Sequence, residues 1–107
     1  MQNNIKNYII SLIKANKLYK FYHSTAWESL RDEVLKEQHY ECQLCKARGI
    51  YTRADTVHHI NYVRIAPHLA LSRYDEQGRQ NLIAVCATCH NEIHKTKHKG
   101  FTNEERW

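Results

Sequence analysis

Two Cys-x-x-Cys pairs, Cys42-Gln43-Leu44-Cys45 and Cys86-Ala87-Thr88-Cys89, contain every cysteine of the chain and stand 40 residues apart. Each pair is a tight turn that aims two sulfurs at one point, and two such turns complete a tetrahedral shell. A redox pair or two disulfides are the other uses of such cysteines. With no cysteine left over, a zinc ion held by all four has no open position, so it would stabilise rather than catalyse. The consequence for folding is geometric. The ion pins the first turn to the segment that follows the second, and the residues between become one compact unit. The chain has 107 residues, enough for one domain with a small core, which is where such a staple matters most.

The formal net charge is +5 and the sequence pI near 9.1. A modest basic excess suits a polyanionic partner such as nucleic acid, though ordinary soluble domains also carry this much. Residues 1–20 hold Lys6, Lys14, Lys17 and Lys20 with no acid, and the far end holds Lys95, Lys97 and Lys99. Both ends are thus basic, as arms lying along phosphates would be. The apolar run from Tyr8 to Ile13 is short, flanked by lysines and without a small-residue cleavage site. It reads neither as a secretory signal nor as a membrane span. A cytoplasmic location is expected, where thiols stay reduced and favour metal ligation.

Ile5, Ile9, Leu12 and Ile13 share one face at helical spacing. Thr25-Ala26-Trp27-Glu28 reads as a capping box opening a second helix, with Trp27, Leu30, Val34 and Leu35 on its apolar side. Tyr19, Phe21 and Tyr22 read as core. Thr56–Ile60 and Asn81–Val85 are short strand candidates. Residues 61–80, with the one proline, Pro67, read as a long loop holding a helical turn, and loops of this length are often functional. A helix is expected from about Cys89 through His90 and His94 to about Lys97, then a loosely ordered tail from Gly100.

Eight histidines are many for this length. His90 and His94 lie four apart on the expected helix and face one way, a spacing that suits one metal or one phosphate but also occurs on plain solvated faces. Adjacent His58 and His59 point to opposite faces of a regular strand, so only a strand end or bend brings both near one site.

Together these residues resemble the HNH nuclease family. The resemblance runs from Cys42 to about His94, roughly half the chain: Val57-His58-His59-Ile60 as first-strand motif, Asn81-Leu82, then Cys86-x-x-Cys89-His90-Asn91 with His94 four further on. Phe21-Tyr22-His23-Ser24 with Trp27, Leu30-Arg31 and Val34-Leu35 is similar to the lead-in of phage-encoded members. The resemblance implies an α+β fold: a small zinc-stapled ββα-metal domain over 21–99, a basic N-terminal helical arm over 1–20 and a tail over 100–107. It implies a DNA endonuclease in which His59 is the general base, Asn81 holds the base-bearing loop, and His58 and His90 bind one divalent ion, with His94 as third ligand or phosphate contact. Many relatives carry Asp where His58 stands, and an all-imidazole set shifts preference from Mg²⁺ toward Mn²⁺, Ni²⁺ or Zn²⁺. Arg64, Arg73, Arg79, Lys95 and Lys97 are the expected DNA contacts. The partners implied are double-stranded DNA and, for a phage-encoded protein in its host's cytoplasm, the terminase, with the chain a monomer or weak dimer. The competing readings are a catalytically silent zinc-dependent DNA-binding or partner-binding module, which would be expected to lack some of these residues, and a purely structural zinc ribbon, which leaves the histidines unexplained.

Overall fold

The computed structural model describes residues 2–97, with side chains for 4–94. The expected tail, with His98 and Lys99, lies outside the described residues. The order is α1 (Gln2–Lys14), α2 (Tyr19–Tyr22), α3 (Thr25–Glu37), α4 (Gln43–Ala47), β1 (Thr56–His59), a 3-10 turn (Pro67–Leu69), β2 (Leu82–Val85) and α5 (Ala87–Lys97). The α+β expectation holds, with helices at the N-terminal side and a ββα unit after them.

The apolar stripe of α1 does what its spacing implies. Ile9 and Leu12 are buried in the common core, with Ile5 and Ile13 against it, and α1 packs over the 3-10 turn. Phe21 and Tyr22 join that core, but Tyr19 is 55% exposed and is not part of it. Helix α3 starts one residue from the expected cap. Ser24, not Thr25, takes the extended backbone, and its Oγ accepts from Trp27 N at 3.2 Å. The same hydroxyl donates to Phe21 O at 2.6 Å, tying the end of α2 to the start of α3. Thr25 is already helical, so Glu28 falls one position past the box. Past α3, His39 and Tyr40 both take left-handed backbone (φ 60° and 54°), a strained pair of non-glycine residues that turns the chain toward Cys42.

Strands β1 and β2 pair antiparallel, from Thr56 opposite Val85 to His59 opposite Leu82. Pairing runs one step further, Ile60 N donating to Asn81 O at 2.7 Å. The outer edge of β2 is covered by a side chain: Gln38 Nε2 donates to Leu82 O and Gln38 Oε1 accepts from Ala84 N at 2.8 Å. That amide mimics a third strand and satisfies an edge that burial would otherwise leave unpaired. Helix α3 packs on both strands, α4 against β2 and α5 against β1. No described helix is long and apolar enough to cross a membrane.

Candidate metal centres and active site

The four cysteines converge as their spacing implies. Cys42 caps α4 with its Sγ accepting from Cys45 N at 3.4 Å, and Cys86 repeats the arrangement ahead of α5 with Cys89 N at 3.5 Å. All four Sγ lie within 4.8 Å of one another and all four residues are buried. Cys45 Sγ is 3.9 Å from Cys86 Sγ and 3.6 Å from Cys89 Sγ. Zinc–sulfur bonds of ~2.3 Å give a tetrahedron with S···S edges of about 3.8 Å, so the set fits zinc. Disulfides are absent, and these separations far exceed the ~2.0 Å of an S–S bond.

The thiols are not alike. A hydrogen bond from Thr52 leads in bringing Cys45 down to about 7, whereas burial pushes Cys89 up to about 12. Arg48 places its guanidinium 3.5 Å from Cys45 Sγ and 3.7 Å from Cys89 Sγ. Buried thiolates need cations nearby, and Arg48 supplies one.

His58, His90 and His94 form a second cluster, their ligand atoms again within 4.8 Å and all three buried. His58 leaves β1 on the face covered by α5, and His90 and His94 leave α5 one turn apart. The two Nε2 atoms of His90 and His94 are 3.0 Å apart. Two nitrogens at ~2.1 Å from one ion are separated by about 3.0–3.4 Å. With the ligand atom of His58 within 4.8 Å of both, the three imidazoles could hold a divalent cation and would leave positions over for other oxygens.

His59 takes the opposite face, as strand alternation requires. Its ring stacks on Trp27 at 4.7 Å and 24°, with Tyr22 and Phe21 at its sides. His59 Nε2 lies 2.9 Å from Ala70 O. A carbonyl only accepts, so Nε2 carries the proton and Nδ1 is the nitrogen with a lone pair. Burial lowers His59 to about 4, against a smaller upward pull from the Ala70 carbonyl, so the ring is neutral at physiological pH.

Asn81 is fully buried and uses its whole amide. Nδ2 donates to Leu69 O at 3.0 Å and Ser72 O at 2.9 Å, and Oδ1 accepts from both nitrogens of Asn61 at 3.0 Å. It thereby clamps the loop on either side of Ala70, whose carbonyl holds His59. The basic residues are dispersed. Arg64 lies in the loop after β1. Arg73 is engaged by Glu33 at 2.6 Å and Glu37 at 2.8 Å on α3. Arg79 pairs with Asp75 at 3.1 Å and with Gln77. The side chains of Lys95 and Lys97 lie outside the described residues.

Sequence reasoning did not single out Asn61, Tyr62, Arg48, Gln38 or the Ala70 carbonyl. Asn61 and Tyr62 follow directly on the histidine pair, the one signal that would have marked them. A backbone carbonyl carries none.

Four cysteines gathered as a zinc site would require, and three histidines gathered as a second candidate metal site around a two-strand sheet and the helix that follows it, define a ββα domain of the metal-site class. The HNH endonuclease family model matches residues 42–96, just over half of the chain. The chain is also similar to a solved structure, the deep-sea thermophilic bacteriophage GVE2 HNH endonuclease crystallised with manganese ion. Identity is 31%, the match covers 87% of this chain and 89% of that one, and the TM-score is 0.62. No curated protein matches the chain. The chain belongs to the HNH endonuclease family and is a nuclease.

Proposed function

We propose that this nuclease hydrolyses phosphodiester bonds of double-stranded DNA, with His59 as general base and His58, His90 and His94 holding one divalent cation. The observation that carries the reading is the bond from His59 to Ala70 O, which leaves a neutral Nδ1 ready to accept a proton. Nδ1 takes the proton of the attacking water, while Nε2–H keeps donating to the Ala70 carbonyl and so stabilises the imidazolium that forms. Asn81 holds that carbonyl in place through the loop. A divalent cation held by His58, His90 and His94 would supply positive charge at the scissile phosphate. His94 acts as ligand rather than phosphate contact, which its 3.0 Å approach to His90 supports. The products are a 3′-hydroxyl and a 5′-phosphate. Among Mg²⁺, Mn²⁺, Ni²⁺ and Zn²⁺, the manganese of the phage relative favours Mn²⁺ as the working ion, with Zn²⁺ in the cysteine site.

Arg64, Arg79, Lys95 and Lys97 are proposed phosphate contacts; Arg73 joins them only by releasing Glu33 and Glu37. One site cuts one strand, so a double-strand break takes two copies or two events. The phage relative favours a phage-encoded setting; the host cytoplasm, and a terminase that directs cleavage during DNA packaging, are proposed with it on the resemblance to phage-encoded members.

The test is cleavage of supercoiled plasmid with Mg²⁺, Mn²⁺, Ni²⁺ or EDTA, comparing wild type with His59→Ala at equal zinc content. Wild type nicks DNA only with metal, and the variant falls by about 10²–10⁴-fold, the range of general-base catalysis. If folded wild type is inert with every ion yet binds DNA, the chain is instead a silent zinc-dependent binding module.

A further inference from the structure

Tyr62 lies beyond the histidine pair, and its ring lies against two imidazoles of the proposed catalytic centre. It stacks on His94 at 5.8 Å between centroids and 22° between planes. It meets His58 edge-on at 5.6 Å and 82°. These two histidines come from different elements, α5 and β1, so one ring spans the joint across which the site is assembled.

The ring is also firmly presented. Asn61 is held through both its nitrogens by Asn81 Oδ1. The Tyr62 carbonyl accepts from Ile65 N at 2.9 Å and Ala66 N at 2.8 Å, closing the turn that follows. Tyr62 itself is 9% exposed. A buried ring on a pinned backbone is suited to fixing its neighbours' rotamers. A stack at 22° permits sliding but resists tilting of His94, and an edge contact resists rotation of His58.

We propose that Tyr62 is a positioning residue, its aromatic ring locking His58 and His94 in the orientations that bind the divalent cation. The inference rests on the reading of the histidine triad as a metal site. The work is done by the ring, so phenylalanine substitutes for it and an aliphatic side chain does not. Partners that orient metal ligands typically contribute 10–100-fold in affinity.

The experiment is Mn²⁺ titration of zinc-loaded full-length protein by calorimetry, with the Mn²⁺ electron paramagnetic resonance spectrum as second readout, on wild type, Tyr62→Phe, Tyr62→Leu and His90→Ala. Tyr62→Phe retains wild-type affinity and spectrum. Tyr62→Leu weakens Mn²⁺ binding by roughly 10–100-fold and alters the spectrum, at unchanged zinc content. Should the leucine variant fail to fold, Tyr62→Met, closer in length, is read in its place. Wild-type affinity in a folded aliphatic variant overturns the proposal, as does equal weakening in Tyr62→Phe, which transfers the role to the hydroxyl. If wild type and His90→Ala bind Mn²⁺ equally weakly, the triad reading has failed and the Tyr62 proposal falls with it.

Discussion

The four-cysteine and three-histidine centres both draw ligands from α5 and its approach, yet they differ in what they hold together. The thiolates join Cys42 and Cys45, around the start of α4, to Cys86 and Cys89 at the start of α5, segments that no strand pairing connects. The imidazoles join β1 to α5, elements already placed by the sheet and the core. Four thiolates fill a tetrahedron; three imidazoles fill part of a shell. The contrast teaches that a site's place in the topology, as much as its ligand chemistry, decides whether it carries stability or reactivity.

The largest effect is expected at the cysteines. Structural zinc sites contribute on the order of 10–16 kcal/mol of apparent binding free energy, as much as a small domain's whole stability of about 5–15 kcal/mol. Cys89→Ser, or stripping of zinc with a strong chelator, is therefore expected to unfold the chain at 25 °C, read by circular dichroism and by lost zinc stoichiometry. His90→Ala is expected to keep the fold and zinc while losing metal-dependent cleavage. A Cys89→Ser protein that melts like wild type would erase the distinction between staple and working site.

Asn81 offers a sharper cut, because its amide binds the loop on either side of Ala70, the partner of the proposed base His59. Removing its amide leaves Leu69 O, Ser72 O and the Asn61 N–H without this partner. A buried group left unsatisfied costs about 1–3 kcal/mol. Asn81→Ala should lower the melting temperature and slow cleavage, since Ala70 loosens and with it His59, while Mn²⁺ affinity falls less than in Tyr62→Leu, because the Tyr62 turn keeps its own bonds from Ile65 N and Ala66 N. Asn81→Asp should be worse at the carbonyl side, where a donor becomes an acceptor. Loss of Mn²⁺ binding in folded Asn81→Ala would mean that base and triad are one mechanical unit.

Much of this arrangement was legible because it is local. The α1 face, the cysteine turns and the four-residue step from His90 to His94 follow from helical period and turn geometry, and the structure brings these residues together. Strand alternation already implied that His58 and His59 part company. The errors are also local: Ser24 outcompetes Thr25 because its hydroxyl serves two backbone groups at once, and Tyr19 faces water while Phe21 and Tyr22 turn inward. What stayed hidden depends on the path of the 60–80 loop. The Ala70 carbonyl, the bonds between Asn61 and Asn81 and the Tyr62 stack join residues whose meeting no periodicity encodes. Gln38 filling a strand edge is hidden for the same reason, as its partners lie 44 and 46 positions away.

Arg73 carries the smallest expected effect and divides scaffold from DNA surface. Its guanidinium holds Glu33 and Glu37 on α3, and its carbonyl accepts from Asn81 N at 2.8 Å where β2 begins. The hydrogen bond from Arg73 holds the Glu37 carboxyl below its ordinary 4.5, and the two glutamates in turn raise Arg73. A carboxylate with a depressed folded pKa stabilises above its unfolded value, and the benefit disappears as pH falls through the folded one. Arg73→Gln should thus melt slightly below wild type at neutral pH, with the gap closing as pH drops below 4.5 through the Glu37 transition. The pair is exposed, so added salt should narrow the gap too. Cleavage at saturating DNA should be unchanged. If Arg73 instead leaves the glutamates to meet a phosphate, Arg73→Gln raises the KM for DNA and flattens the salt dependence of binding by about one counterion. The first outcome makes Arg73 a tether of the strand to α3; the second makes the two glutamates its resting place between DNA encounters.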